Sequence, residues 1–331
     1  MAGITRYLET PYKRNITEPA SIWCQGNVRL LDYGLGVCDP AHAKSYVLFV
    51  PSLINRYYIL DLEANRSLLR YLAKQDIYPL VLDWGAPGKE EAQYGIDDYV
   101  NNVLLPVIDF LYEKTGEKIA LGGYCMGGVL SLAAAQLAPK KLSSLSLFAT
   151  PWDFHCSAFS PFVLEPSWQS TIASLMNQHD LLPAEAVQSL FYLTDPWVFE
   201  NKFRRFFDMK PDSRAAKDFI ALERWVNDGI PMTSKVAQDC LVGWAQQNRL
   251  MSEGWKIMDQ TINPHKLDLP TFMAIPKNDH VVPYDCAWPL AEMIKNATII
   301  HPSAGHVGMM VGAKAKSELW NPLADWLSAK G

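Results

Sequence analysis

The stretch Gly123-Tyr124-Cys125-Met126-Gly127-Gly128 constrains this chain more than any other. A cysteine with glycine two positions to either side has the spacing of a nucleophile elbow, a tight turn between a strand and a helix. Such a turn presses its neighbours against other backbone, so the positions two away must be small. Gly123 and Gly127 meet that demand. The flanking sequence agrees: Lys118 to Gly122 is a short apolar run suited to a buried strand, and Val129 to Leu137 is an alanine- and leucine-rich run suited to a helix. A G-x-C-x-G pattern occurs by chance, and a cysteine is more often a small buried apolar residue than a nucleophile. A cysteine that merely packs, however, needs neither both glycines nor the strand before it and the helix after it. The pattern implies a thiol presented for covalent acyl transfer.

From Ser45 onward, short apolar runs alternate with helix-like segments, the arrangement of a mostly parallel sheet covered on both faces. The predicted strands are Tyr46 to Val50, Tyr78 to Asp83, Lys118 to Gly122, Leu142 to Ala149, Thr271 to Ile275 and Thr298 to His301. Helices are expected near Ser67 to Lys74, Asp97 to Thr115, Met126 to Leu137 and Ala315 to Leu327, and Ser21 to Tyr33 reads as an antiparallel hairpin at the sheet edge. The rhythm breaks between Trp152 and Leu267, where helix-like stretches at Pro183 to Tyr192 and Ser213 to Asn227 flank the aromatic-rich Phe199 to Phe207. The expected organisation is an N-terminal extension and edge hairpin over 1–44, a core over 45–151 and 268–331, and a mainly helical cap inserted over 152–267. The aromatic and leucine residues of the cap either line an apolar route to Cys125 or only hold the cap together.

At 331 residues with 49% hydrophobic content, the chain can bury a large core, and its net charge of -5 gives no basic surplus for a nucleic-acid partner. No apolar run approaches the roughly 18 residues of a membrane span, and the first residues lack a signal-like apolar core. These features point to a cytoplasmic protein. The six cysteines show no C-x-x-C pairing, so neither a zinc site nor a disulfide framework is expected, and no metal or cofactor is called for.

A thiol needs a base to become the attacking thiolate, and the base needs an orienting acid. Two loops C-terminal to Cys125 supply them. Asp279 follows a predicted strand in Ile275-Pro276-Lys277-Asn278-Asp279-His280-Val281-Val282-Pro283. His306 follows another in Ser303-Ala304-Gly305-His306-Val307-Gly308. Nucleophile, acid, histidine is the chain order of the α/β-hydrolase triad. His280 is the competing base, but as the neighbour of Asp279 in an extended loop its side chain points another way. His42, His155, His179, His265 and His301 have no comparable setting. Asp153, after the sixth strand, is an alternative acid for which a structural role is preferred. The oxyanion formed on attack needs two backbone N–H donors, one from the residue after the nucleophile and one from the loop after the first parallel strand. Met126 is the first. Leu53 or Ile54 is the second, because Pro51 has no N–H.

The same residues carry a resemblance. Pro51-Ser52-Leu53-Ile54-Asn55-Arg56-Tyr57-Tyr58-Ile59-Leu60-Asp61-Leu62, Leu82-Asp83-Trp84-Gly85, Asp97-Asp98-Tyr99, Gly123 to Gly128, Thr150-Pro151-Trp152-Asp153-Phe154, Asp279-His280-Val281-Val282-Pro283 and Gly305-His306-Val307-Gly308 together resemble a polyhydroxyalkanoate synthase. The likeness runs from about Lys44 to the C-terminus, is strongest in the core, and in length resembles the short class III catalytic subunits. It implies an α/β-hydrolase fold in which Cys125 takes the acyl group from a 3-hydroxyacyl-coenzyme A and His306 deprotonates it. Asp279 then activates the incoming hydroxyl or orients His306. It also implies that coenzyme A thioester is substrate rather than cofactor, that the other partner is the growing polyester chain, and that a non-catalytic synthase subunit, a homodimer formed through the cap and the polyester granule surface belong to its setting. Two rival readings remain: an intracellular polyester depolymerase or thioesterase using the same three residues, and an inactive granule-binding or partner subunit.

Overall fold

The computed structural model describes residues 2–156, 181–194, 196–252 and 254–329, together with positions 165, 167, 170 and 174. Eight strands form one sheet: β1 Ser21–Gln25, β2 Val28–Asp32, β3 Ser45–Val50, β4 Ile77–Asp83, β5 Ile119–Tyr124, β6 Leu142–Phe148, β7 Thr271–Ala274 and β8 Thr298–Ile300. Their spatial order is β1-β2-β4-β3-β5-β6-β7-β8. The hairpin β1-β2 is antiparallel and β2 runs antiparallel to β4, whereas every pair from β4 through β8 is parallel. Every residue of β4 and β5 is buried, because helices cover both faces of a parallel sheet and leave no side for polar alternation.

Side chains alternate across a strand, so each strand feeds two cores. On one face Leu48, Leu82, Leu121 and Leu147 pack against α3 Leu105–Thr115, α4 Met126–Leu137 and α8 Tyr284–Met293. On the other, Val47, Phe49, Val81 and Phe272 meet α2 Leu68–Ala73 and α9 Asn321–Ser328. Each fully buried leucine contributes roughly 1.5–3 kcal/mol. Two of these helices open with a wide π turn, over Val100–Leu104 before α3 and over Lys316–Trp320 before α9. Both wide turns end where a proline stands at the second position of the following helix, Pro106 and Pro322. Proline has no N–H to close an α turn, and the preceding backbone rearranges accordingly.

The chain leaves the sheet after β6 and rejoins it at β7. Among the described residues, the segment between contributes no strand to that sheet and forms the helices α5 Ala184–Thr194, α6 Pro196–Asp208 and α7 Arg214–Val226. The N-terminal helix α1, Ala2–Glu9, packs on this cap rather than on the sheet. Tyr7 meets Phe203 edge-on at 5.6 Å, Phe206 stacks on Phe219 at 4.4 Å, and the Arg6 guanidinium lies over Phe206 and donates to the carbonyls of Phe206 and Met209. The end of α7 is fastened to the loop after β3, with Trp225 Nε1 donating to Arg56 O at 2.8 Å and Ile230 N to Ile54 O at 2.9 Å. Among the described residues no helix is long and apolar enough to cross a membrane.

Candidate active site

Parallel strands bring all their C-terminal ends to one edge of the sheet, and ligands gather there. The register makes that edge a line: Val50 pairs with Gly123, Tyr124 with Phe148, Phe148 with Ala274, and Ala274 with Ile300. The loops that begin one step later carry Ser52, Cys125, Asp279 and His306, so residues spread over 255 positions of sequence emerge side by side.

Cys125 stands between β5 and α4 with φ 55° and ψ -126°, a backbone conformation costly for a residue with a Cβ and held here by its surroundings. Its N–H donates to Phe148 O at 2.8 Å, and its carbonyl accepts from Gly128 N at 2.9 Å. A methyl on Gly123 would lie 2.4 Å from Gly128 Cα, and one on Gly127 2.0 Å from Val50 O, so the two small positions let α4 press against the strands. His306 Nδ1 and Asp279 Oδ2 are 2.9 Å apart, both buried, while Asp279 Oδ1 accepts from Val281 N and Val282 N at 2.8 and 2.9 Å. Burial alone would push the imidazole down. The Asp279 charge, the neighbouring Cys125 sulfur and the Asp279 hydrogen bond to the ring outweigh it and hold His306 up at about 10. The structure hydrogen-bonds His306 to Asp279 and sets Cys125 with His306 on the lining of one cavity.

Of the oxyanion candidates, Met126 is the first residue of α4 and has no carbonyl of its own helix to bond. The Ile54 N–H donates to Ser52 Oγ at 3.2 Å, whereas the Leu53 N–H has no partner among the described residues. Ser52 Oγ also reaches Met126 Sδ at 3.9 Å, linking the two halves of the site.

A cavity of about 160 Å³ opens over Cys125, walled by Ile54, Ile59, Trp225, Val226, Val281 and Val307, with His306 and Tyr124 at its base. Its walls therefore come from the loop after β3, from the cap and from the acid and histidine loops. The remaining sequence candidates lie elsewhere. His280 is exposed. Asp153 accepts from His155 N at 2.9 Å and Asn248 Nδ2 at 2.8 Å, and this bonding braces the base of the cap. His179 falls outside the described residues.

Two residues at the site stand in the quoted motifs without a role assigned from sequence. Tyr124 is fully buried, its ring 5.0 Å from that of His306 and its hydroxyl donating to His306 O at 3.3 Å. The signal for it was present, since the residue before the nucleophile ends β5 beside the histidine loop. Trp84 Nε1 donates to Pro51 O at 2.9 Å and anchors the oxyanion loop, a contact that no local pattern announces.

The family model for the alpha/beta hydrolase fold matches residues 46–313, and the model for the Poly-beta-hydroxybutyrate polymerase (PhaC) N-terminus matches residues 18–72. A Poly(3-hydroxyalkanoate) polymerase subunit PhaC from Haloferax mediterranei is 28% identical over 86% of this chain, which spans 58% of that relative's length. A protein of the same name from Thiocystis violacea is 27% identical over 87% of this chain and 81% of its own. A thermophilic esterase from Thermogutta terrifontis shares the fold with a TM-score of 0.55 at 16% identity, over 95% of this chain and 98% of its own. Strand order, elbow and matched residues agree: the chain belongs to the α/β-hydrolase family, and its sequence relatives within that family include poly(3-hydroxyalkanoate) polymerase subunits.

Proposed function

We propose that this chain is a polyhydroxyalkanoate synthase, which polymerises 3-hydroxyacyl-coenzyme A and releases coenzyme A through an acyl-cysteine intermediate. The observation that carries the reading is a cysteine, rather than a serine, on the elbow, lining an apolar-walled cavity together with His306, which Asp279 holds by a hydrogen bond. His306 holds the proton given up by the thiol, and the Cys125 sulfur adds as the thiolate to the thioester carbonyl. The oxyanion draws on the N–H groups of Met126 and Leu53. Collapse of the adduct expels coenzyme A, which leaves with the proton from His306 and leaves the acyl group as a thioester on Cys125. Transfer between two thioesters is nearly balanced, so the acyl enzyme stays activated. A hydroxyl of the next unit or of the chain gives its proton to His306 and attacks the carbonyl, forming an ester and freeing the thiol. Asp279 orients the ring throughout.

Water would end chain growth, and the cap over 152–267 acts as the lid that excludes it. The reaction needs no metal and no cofactor beyond the coenzyme A substrate. A non-catalytic synthase subunit, dimerisation through the cap and residence at the granule surface complete the reading.

The test is incubation with 3-hydroxybutyryl-coenzyme A, following free coenzyme A and analysing the acyl product, with Cys125→Ala as control. Polymer formed by the intact protein and not by the variant supports the synthase. Free hydroxy acid in place of polymer assigns the same three residues to hydrolysis.

A further inference from the structure

The cavity over Cys125 is apolar except for a few groups, and most of those are already bonded. Ser52 Oγ accepts from Ile54 N, Arg56 pairs with Asp228, and His306 is held by Asp279. Two lining residues differ. Gln188, on α5, donates its Nε2 to Val226 O at 2.7 Å, and this bond sets the amide so that the opposite atom, Oε1, is a carbonyl acceptor without a partner among the described residues. The side chain of Asn55, in the oxyanion loop, has no hydrogen-bond partner among the described residues.

Gly229 brings the two together. Its backbone pairs with Asn55, and a methyl on it would lie 3.0 Å from Gln188 Nε2, so the Gln188 amide lies directly against the segment that pairs with Asn55.

We propose that Asn55 and Gln188 form the subsite for the 3-hydroxyl of the acyl group, and so select hydroxyacyl over plain acyl substrates. The proposal rests on the reading of this chain as a synthase. An acyl unit of that class carries two polar positions, the thioester carbonyl and the hydroxyl. The carbonyl is taken by the backbone donors beside Cys125. The hydroxyl is both a donor and an acceptor, and an amide oxygen paired with an amide NH2 satisfies both capacities. Gln188 Oε1 accepts from it and Asn55 Nδ2 donates to it. An acyl group lacking the hydroxyl leaves these polar groups facing an apolar chain, the arrangement by which a site discriminates most strongly. Gln188 belongs to the cap and Asn55 to the core, so the hydroxyl also ties the lid to the oxyanion loop when substrate is bound.

The test measures acylation of Cys125 by 3-hydroxybutyryl-coenzyme A and by butyryl-coenzyme A, and in parallel by the p-nitrophenyl esters of 3-hydroxybutyrate and butyrate. The native chain should prefer the hydroxylated member of each pair by about tenfold or more. Gln188→Met and Asn55→Leu should bring the ratio of hydroxylated to butyryl rate within each variant down toward one, and a denaturant unfolding curve of each variant reports its folding. No preference in the native chain overturns the proposal, whether or not the variants fold. A preference that survives both substitutions overturns it as well. A hydroxyl preference with the p-nitrophenyl esters, together with no reaction of either coenzyme A thioester, keeps the subsite and removes the synthase reading.

Discussion

At the scale of single residues, the site is organised around a charge arrangement that burial alone would forbid. An isolated buried imidazole loses its proton. Beside Asp279 and Cys125, His306 keeps it up to about pH 10. The ordinary value is about 6.5, so the folded state binds the proton more tightly than the unfolded chain. The stabilisation is fully present below about pH 6.5, declines as pH rises through the window, and is lost above about 10. The stability difference between the native chain and His306→Gln should therefore shrink by a few kcal/mol between pH 6.5 and 10.5, as measured by denaturant unfolding of both proteins. An unchanged difference would mean that the ring is neutral at neutral pH. Tyr124 belongs to the same arrangement, holding the His306 backbone through its hydroxyl and the ring by contact.

At the scale of elements, the core follows from patterns a few residues long, and the cap does not. β5, the elbow and α4 are consecutive in sequence, and their apolar run, glycines and alanines foreshadow each of them. By contrast, α8 was not foreseen, because Pro289 stands inside it and proline reads as a helix breaker. The docking of α1 on α6 was equally hidden, since its partners lie about 200 residues away. The joint is a small aromatic core of its own, made by Tyr7, Phe203, Phe206, Ala216 and Ile220. Phe206→Ala should cost about 3–5 kcal/mol in denaturant unfolding. The acylation of Cys125 by a small activated ester should stay within severalfold of the native rate, because no residue of this cluster lines the cavity. A stability loss under 1 kcal/mol would mean that the joint is already open in solution.

At the scale of the whole molecule, one buried carboxylate fastens distant parts of the chain. Asp61 is fully buried and accepts from Arg14 and Arg70 at 2.7 Å each and from the Tyr33 hydroxyl at 2.7 Å. Burial, then the Asp61 charge, keeps the Tyr33 phenol far above its usual range. These partners belong to the N-terminal segment, to the turn after β2 and to α2. Asp61→Ala leaves the hydroxyl and two partly exposed guanidinium groups without their shared acceptor, and should cost about 3 kcal/mol in denaturant unfolding. A change under 1 kcal/mol would show that water replaces the carboxylate.

The amino-acid sequence by itself determined the alternation of strands and helices, the place of Cys125 on its elbow, and Asp279 and His306 as its candidate partners, because periodicity, turn chemistry and chain order are properties of near neighbours. Only the tertiary structure decided that Ile54 N–H is taken by Ser52 while Leu53 N–H is left open, that Tyr124 and Trp84 brace the site, that α1 belongs with the cap, and that Gln188 faces the same cavity as Asn55. Each of these is a contact between residues whose meeting depends on how whole elements pack, and no pattern read along the chain carries that information.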